Sequence, residues 1–194
     1  MSVYDAGDMS APALLIIDVQ KAIDDPVWGP DRNNPEAEQN IAGLLTLWRA
    51  RHWPIFHVRH SSVEPNSSYR PDGPGFAFKD EVLPHDGESI ITKSTNSAFI
   101  RTTLEADLRS RGIDTVVITG VITNNSVEAT TRMSGNLGFR TYLASDATAT
   151  FPRHDHAGTL RTADEVHAMS LANMHGEYAT VVTVAEIVAL FGGA

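Results

Sequence analysis

Cysteine is absent from the 194-residue chain, which excludes disulfides, zinc–thiolate sites and thiol catalysis in the chain as it stands. Basic residues are few: 15 Lys and Arg stand against 24 Asp and Glu, a net charge of −9. Non-specific binding to nucleic acid or to an anionic membrane needs a basic patch, and this balance offers none. No apolar run reaches the roughly 18 residues that span a bilayer. Residues 1–10 (MSVYDAGDMS) lack the basic-then-apolar order of a secretion signal. Internal repeats and low-complexity tracts are missing as well. What is present is 42% hydrophobic and 20% charged residues, an ordinary globular balance. The length fits one domain over residues 1–194, large enough to close its own core, and a cytoplasmic setting is expected.

Short β-rich runs at 13–17 (ALLII), 54–58 (PIFHV), 89–92 (SIIT), 115–119 (TVVIT), 141–144 (TYLA) and 180–183 (TVVT) alternate with helical patterns. Asn34 and Pro35 fit the N-cap and first position of a helix in which Ile41, Leu44, Leu45 and Trp48 recur at helical spacing. Thr102-Thr103-Leu104-Glu105 reads as a capping box opening a helix through Leu108, with Gly112 placed to end it. Thr162 with Glu165, and Thr183 with Glu186, repeat that signature ahead of helices running toward Met174 and Leu190. Strands apolar on both faces and alternating with helices predict the α/β class. The expected architecture is a single three-layer α/β/α domain around a doubly wound, mainly parallel, Rossmann-like sheet.

In such a sheet ligands bind beyond the carboxyl ends of the strands. Three of those ends carry Asp18, Lys93 and, after Gly120-Val121-Ile122-Thr123-Asn124-Asn125, Ser126. Taken singly they read as a turn-capping carboxylate, a solvated strand end and a helix cap, and topology alone assigns no function. Gln20 alternates back to the side of Asp18 and is a candidate substrate contact. His60, at a strand end, is another, whereas His57 points to the opposite face and reads as packed or hydrogen-bonded. The stretch 61–87, rich in Pro, Gly and Ser, is too long for a plain connector and predicts a covering loop or a partner contact. Trp28, Tyr69, Phe76 and Phe78 flank the rim and are candidates for a pocket wall or a dimer contact, or equally for a satellite of the core. Arg132 reads as paired with an acidic neighbour.

ALLIIDVQ, TKSTNSAF and VVITGVITNNSVEATTR together resemble the three motifs of the isochorismatase-like, or cysteine hydrolase, superfamily. That group includes nicotinamidases, N-carbamoylsarcosine amidohydrolases and isochorismate hydrolases. The likeness continues through GNLGF, SDATATF and HAMSLANMHGEYATVV, so it covers nearly the whole chain. It implies Asp18 as general base, Lys93 as the stabilising cation and position 126 as the nucleophile. It further implies a cis peptide at Val121–Ile122, an oxyanion hole from the N–H groups of Ile122 and Ser126, and a homodimer or homotetramer acting on a small molecule. A nucleophile at a helix start gains from the dipole and unpaired N–H groups there, and the same donors stabilise a tetrahedral oxyanion.

Serine replaces the family's cysteine at position 126. A carboxylate is a poor base for a hydroxyl, and no histidine relay of the serine-hydrolase kind is evident. Three readings stay open: a Cys→Ser replacement, a natural serine or inactive member, or a chain working without a protein nucleophile. The residues around Ser126 favour an amide-hydrolase scaffold cleaving a C–N bond. The alternatives are vinyl-ether hydrolysis of the isochorismate type and a non-catalytic small-molecule binder. No cofactor and no metal are expected, because His57-Val58-Arg59-His60 lacks the Asp-x-His metal pattern of nicotinamidases. His154 and His156 read as residues of a solvated loop.

Overall fold

The computed structural model describes residues 11–193, so the reading of residues 1–10 lies outside it. Eight strands and five α-helices, with short 3₁₀ and π turns between them, organise these residues. Strands β1 (Ala13–Ile17), β2 (Ile55–His60), β3 (Ser89–Lys93), β4 (Thr115–Val121), β5 (Arg140–Ala149) and β8 (Thr180–Val182) form one parallel sheet in the order β3-β2-β1-β4-β5-β8. Every residue of β1 is buried, as a central strand covered on both faces requires. Leu14 and Ile16 face α1 (Ala37–Ala50) and α5 (Val184–Phe191), packing on Ile41, Leu45, Trp48 and Ile187. Leu15 and Ile17 face the opposite layer of α2 (Leu104–Ser110), α3 (Glu128–Asn136) and α4 (Ala163–Met174), with Leu104, Leu108 and Met174. Each such aliphatic side chain contributes roughly 1.5–3 kcal/mol by leaving water. The expected three layers are therefore present, and the reversal of strand order between β1 and β4 marks the ligand-binding crevice.

Of the three capping boxes expected from the sequence, two form. Thr162 and Thr183 both form complete capping boxes with Glu165 and Glu186. Replacing Thr183 by Ala removes the bond that its hydroxyl accepts from the Glu186 N–H and should lower stability by about 1 kcal/mol, read from urea unfolding. The box expected at 102–105 does not form: Thr103 bonds Asp107 and Glu105 pairs with Arg109. Asn34 is not an N-cap either. Helix α1 starts at Ala37 behind Glu36, and Asn34, at φ +45°, donates its amide to the Ser145 and Thr148 carbonyls. That amide fastens the loop before α1 to the end of β5. A small hairpin, β6 (Arg153–His154) with β7 (Leu160–Arg161), carries both loop histidines, His154 in its first strand and His156 in the connecting turn.

His57 is fully buried, as its packed reading requires, and its Nε2 lies 2.8 Å from Glu88. Arg49 and the His85 N–H bond the same carboxylate. Burial alone would raise the Glu88 carboxyl; these partners outweigh it and hold it down from an ordinary 4.5 to about 2. Between those values the unfolded chain binds the proton and the folded chain does not, so stability falls as pH drops through this window. Glu88→Gln should flatten that part of the stability–pH curve, measured by denaturant unfolding between pH 5 and pH 2.

Candidate active site

Asp18 follows β1 with φ +55°, a left-handed conformation uncommon for a residue with a side chain. Its N–H is held by the Val58 carbonyl, and its own carbonyl accepts from the Gln20 N–H and the Tyr69 hydroxyl. Such an over-determined backbone aims the carboxylate inward rather than to solvent. Strand β4 reaches the same place through Gly120, at φ +117°, where any Cβ would collide with the Ile17 carbonyl. That close approach brings the end of β4 against the end of β1. The Val121–Ile122 peptide is cis. The chain then makes one π turn at Thr123–Val127, with the Val127 N–H bonding the Ile122 carbonyl, before α3 begins at Glu128. Ser126 is therefore not a helix cap. It lies inside the π turn, a feature frequent at functional sites, with its side chain buried.

Lys93 is not a solvated strand end. It is 2% exposed, and its Nζ donates to Asp18 Oδ2 at 2.6 Å, the Thr95 carbonyl at 3.1 Å and Ser126 Oγ at 3.2 Å. The residues expected from three separate strand ends thus meet at one ammonium. Burial raises the Asp18 carboxyl above its ordinary range, and Lys93, Ser126 and His60 only partly offset this. The second carboxylate oxygen, Oδ1, is buried with no hydrogen-bond partner among the described residues. His60 Nδ1 is 3.5 Å from Lys93 Nζ; burial and the neighbouring ammonium lower its pKa, which favours a neutral ring.

A cavity of about 160 Å³ opens over this cluster, lined by Asp18, His60, Ser126, Ile122, Trp28 and Tyr69, with Ser67, Asn96, Val121 and Asn125 completing it. Trp28 stacks on Phe151 and meets Tyr69 edge-on, so these aromatics brace one another as a wall. Loop 61–87 supplies Ser67 and Tyr69, in keeping with a covering loop. Phe78 is instead buried beside His57, and Phe76 lies beneath Arg59.

Gln20 requires a correction. It is fully buried; its Oε1 accepts from the His60 N–H, and its Nε2 donates to the His60 and Phe76 carbonyls. With the amide spent on backbone it holds His60 from behind and does not line the cavity. Arg132 pairs with Glu128 at 2.8 Å, away from the cluster. Among the described residues no group of three His, Asp or Glu side chains could hold a metal ion.

The isochorismatase domain model matches residues 12–186, nearly the full length. The chain belongs to the isochorismatase family. It is 51% identical over 176 residues to the isochorismatase-family protein YrdC of Bacillus subtilis, covering 91% of this chain and 94% of that one. A crystal structure of an isochorismatase-family hydrolase from Chromobacterium violaceum superimposes with a TM-score of 0.91 at 57% identity, covering 99% of this chain and 97% of the other. Nicotinamidase 3 of Arabidopsis thaliana is 29% identical over 164 residues, 76% of this chain and 78% of that protein. The fold and the hydrolase class follow from this membership.

Within this isochorismatase-family site, several residues carry no distinctive sequence signal. Asn96 and Asn125 lie at the strand ends already favoured by topology, yet neither residue type announces a role. Thr123 and His167 were equally silent. His167, on α4, places Nδ1 2.9 Å from the Thr123 hydroxyl at the start of the π turn, and its Nε2 is 3.0 Å from the Ser145 carbonyl. The carbonyl must accept, so Nε2 carries the proton and Thr123 donates to Nδ1.

Proposed function

We propose that this protein hydrolyses a small-molecule C–N bond of the amide, carbamoyl or lactam kind, with Asp18, Lys93 and the residue at position 126 as its catalytic group. The observation that carries this reading is the meeting of Asp18 and Ser126 at Lys93 Nζ, beneath a small cavity into which an unpartnered Asp18 oxygen is free to take a proton. Asp18 accepts the proton of the nucleophile, which attacks the amide carbon. The resulting oxyanion accepts hydrogen bonds from the Ile122 and Ser126 N–H groups, and the Ile122 N–H has no backbone partner among the described residues. Asp18 then returns its proton to the nitrogen as the C–N bond breaks. Water, deprotonated by Asp18, cleaves the acyl-enzyme and restores the starting group. Lys93 stabilises both anionic partners throughout.

The test is Ser126→Cys, assayed for amine or ammonia release over a panel of small amides. No gain on any amide would sink the reading. The raised Asp18 carboxyl also suits a proton donor, which favours vinyl-ether hydrolysis as the second reading. Activity on isochorismate that survives Ser126→Ala supports that reading, and its disappearance removes it. A homodimer or homotetramer, cytoplasmic and without nucleic-acid or membrane partners, completes the proposal and is checked by light scattering. No helix among the described residues is long and apolar enough to cross a membrane.

A further inference from the structure

The catalytic cavity is one of three adjoining spaces. It shares Trp28, Ile122 and Asn125 with a second cavity of about 320 Å³, also bounded by Phe151 and Arg153. That cavity in turn shares Asn124 and Arg153 with a groove of about 790 Å³ between the β6–β7 hairpin and α4. Adjoining spaces thus lead from position 126 to an open mouth; the middle one sets Trp28, Ile122 and Phe151 beside the polar Asn124, Asn125 and Thr150, and Arg153 borders both of the outer spaces.

The charges around that mouth are unequal in their engagement. Glu128 is bound by Arg132 and Ser170. Asp155 takes Arg161, and Glu165 caps α4 through the Thr162 N–H while lying 3.9 Å from Arg161. Arg153 sits opposite Arg161 across the hairpin. It is exposed and forms no ion pair or side-chain hydrogen bond among the described residues. On a chain of net charge −9, an uncommitted guanidinium at the mouth of a passage is the feature an anion would find. Inside, Lys93 is the only cation at the catalytic cluster among the described residues, and it is already held by Asp18, so among them a charged head group finds no uncommitted counter-ion there.

We propose that Arg153 forms an anion subsite for an elongated substrate. The uncharged amide head would occupy the catalytic cavity, and a chain passing Trp28 and Phe151 would end in a carboxylate or comparable anion at Arg153. This assignment rests on the amide-hydrolase reading for the identity of the head group, but its binding test needs no turnover.

The unmodified chain, with serine at 126, is titrated calorimetrically with succinamate, glutaramate and adipamate, and with neutral amides of matched length. At least one acid amide should bind about five- to twentyfold tighter than its neutral match, the range of one charge-assisted Arg–carboxylate contact at a solvated site. Arg153→Gln should erase that preference while leaving the neutral amides unchanged, and Arg153→Glu should reverse it. Equal binding of acid and neutral amides overturns the subsite. So does a parallel loss for both in Arg153→Gln, or a change of oligomeric state with no change in preference. Turnover in Ser126→Cys separates the two proposals. Acid amides that bind through Arg153 yet are never cleaved refute the amidase reading and keep the subsite. Cleavage indifferent to Arg153 does the reverse.

Discussion

Ser126→Cys should raise amide hydrolysis on the order of 10²–10⁴-fold, the span that a working proton transfer to the nucleophile contributes. A thiol ionises near 8.5, about 7 units below a hydroxyl that behaves like water near 15.7. Asp18 can therefore take a proton from sulfur at modest cost, and from oxygen only at a far greater one. The surroundings are already arranged for the anion: Lys93 Nζ points at the 126 side chain from 3.2 Å, and the turn that carries it leads into α3. Adding Asp18→Asn to the cysteine variant should cancel the gain. The rate of the cysteine form should climb with pH as Asp18 ionises. Its midpoint should lie above the ordinary carboxylate range, because burial raises that group. Amine release from the single and double variants, followed from pH 4 to 8, checks both statements. A cysteine form no faster than the serine form, on every amide, defeats them.

How much of this was legible beforehand depends on what each residue answers to. The six sheet strands are visible because a central parallel strand is apolar on both faces, as in ALLII and TVVIT. Strand β5 nevertheless runs on to Ala149, past the predicted end at 144. Its polar Ser145-Asp146 segment is tied down by long-range bonds from Asn34 and Asn40, which no local pattern reports. The hairpin of β6 and β7 escapes for a related reason: its strands are two residues long and exposed. Asp18, Lys93 and position 126 were each ambiguous alone. Only the order of their motifs at three strand ends, with a known family resemblance behind it, brought them together. Gln20 shows the limit of the same logic. Alternation places it correctly on the side of Asp18, but the backbone of His60 and Phe76 claims its amide first. Which partner wins such a competition is set by tertiary contacts 40 and 56 residues away in sequence.

Lys93→Met should cost about 3–5 kcal/mol of stability at neutral pH, the usual result of stripping one partner from a buried ion pair. Asp18 and Lys93 are 3% and 2% exposed, and Asp18 Oδ1 already lacks a hydrogen bond. Without the ammonium, the carboxylate must either stay charged and uncompensated or take up a proton in the fold. The second course sets the sign of the pH effect. The Asp18 carboxyl is already raised in the folded protein and rises further without Lys93, so between its unfolded and folded values the folded state holds the extra proton. Stability then falls as pH rises through that interval. The Lys93→Met variant should accordingly be more stable near pH 4 than near pH 7, once the Glu88 contribution, common to both forms, is subtracted. Asp18→Asn combined with Lys93→Met should recover most of the loss, because a neutral amide beside a thioether leaves no buried charge. Urea unfolding of the two variants and the parent at both pH values measures this. Equal penalties for the single and double variants would mean that Lys93 acts through packing rather than charge. Recovery of stability in the double variant, with no activity restored in the Ser126→Cys background, would show a charge pair kept for chemistry at a cost that a neutral pair avoids.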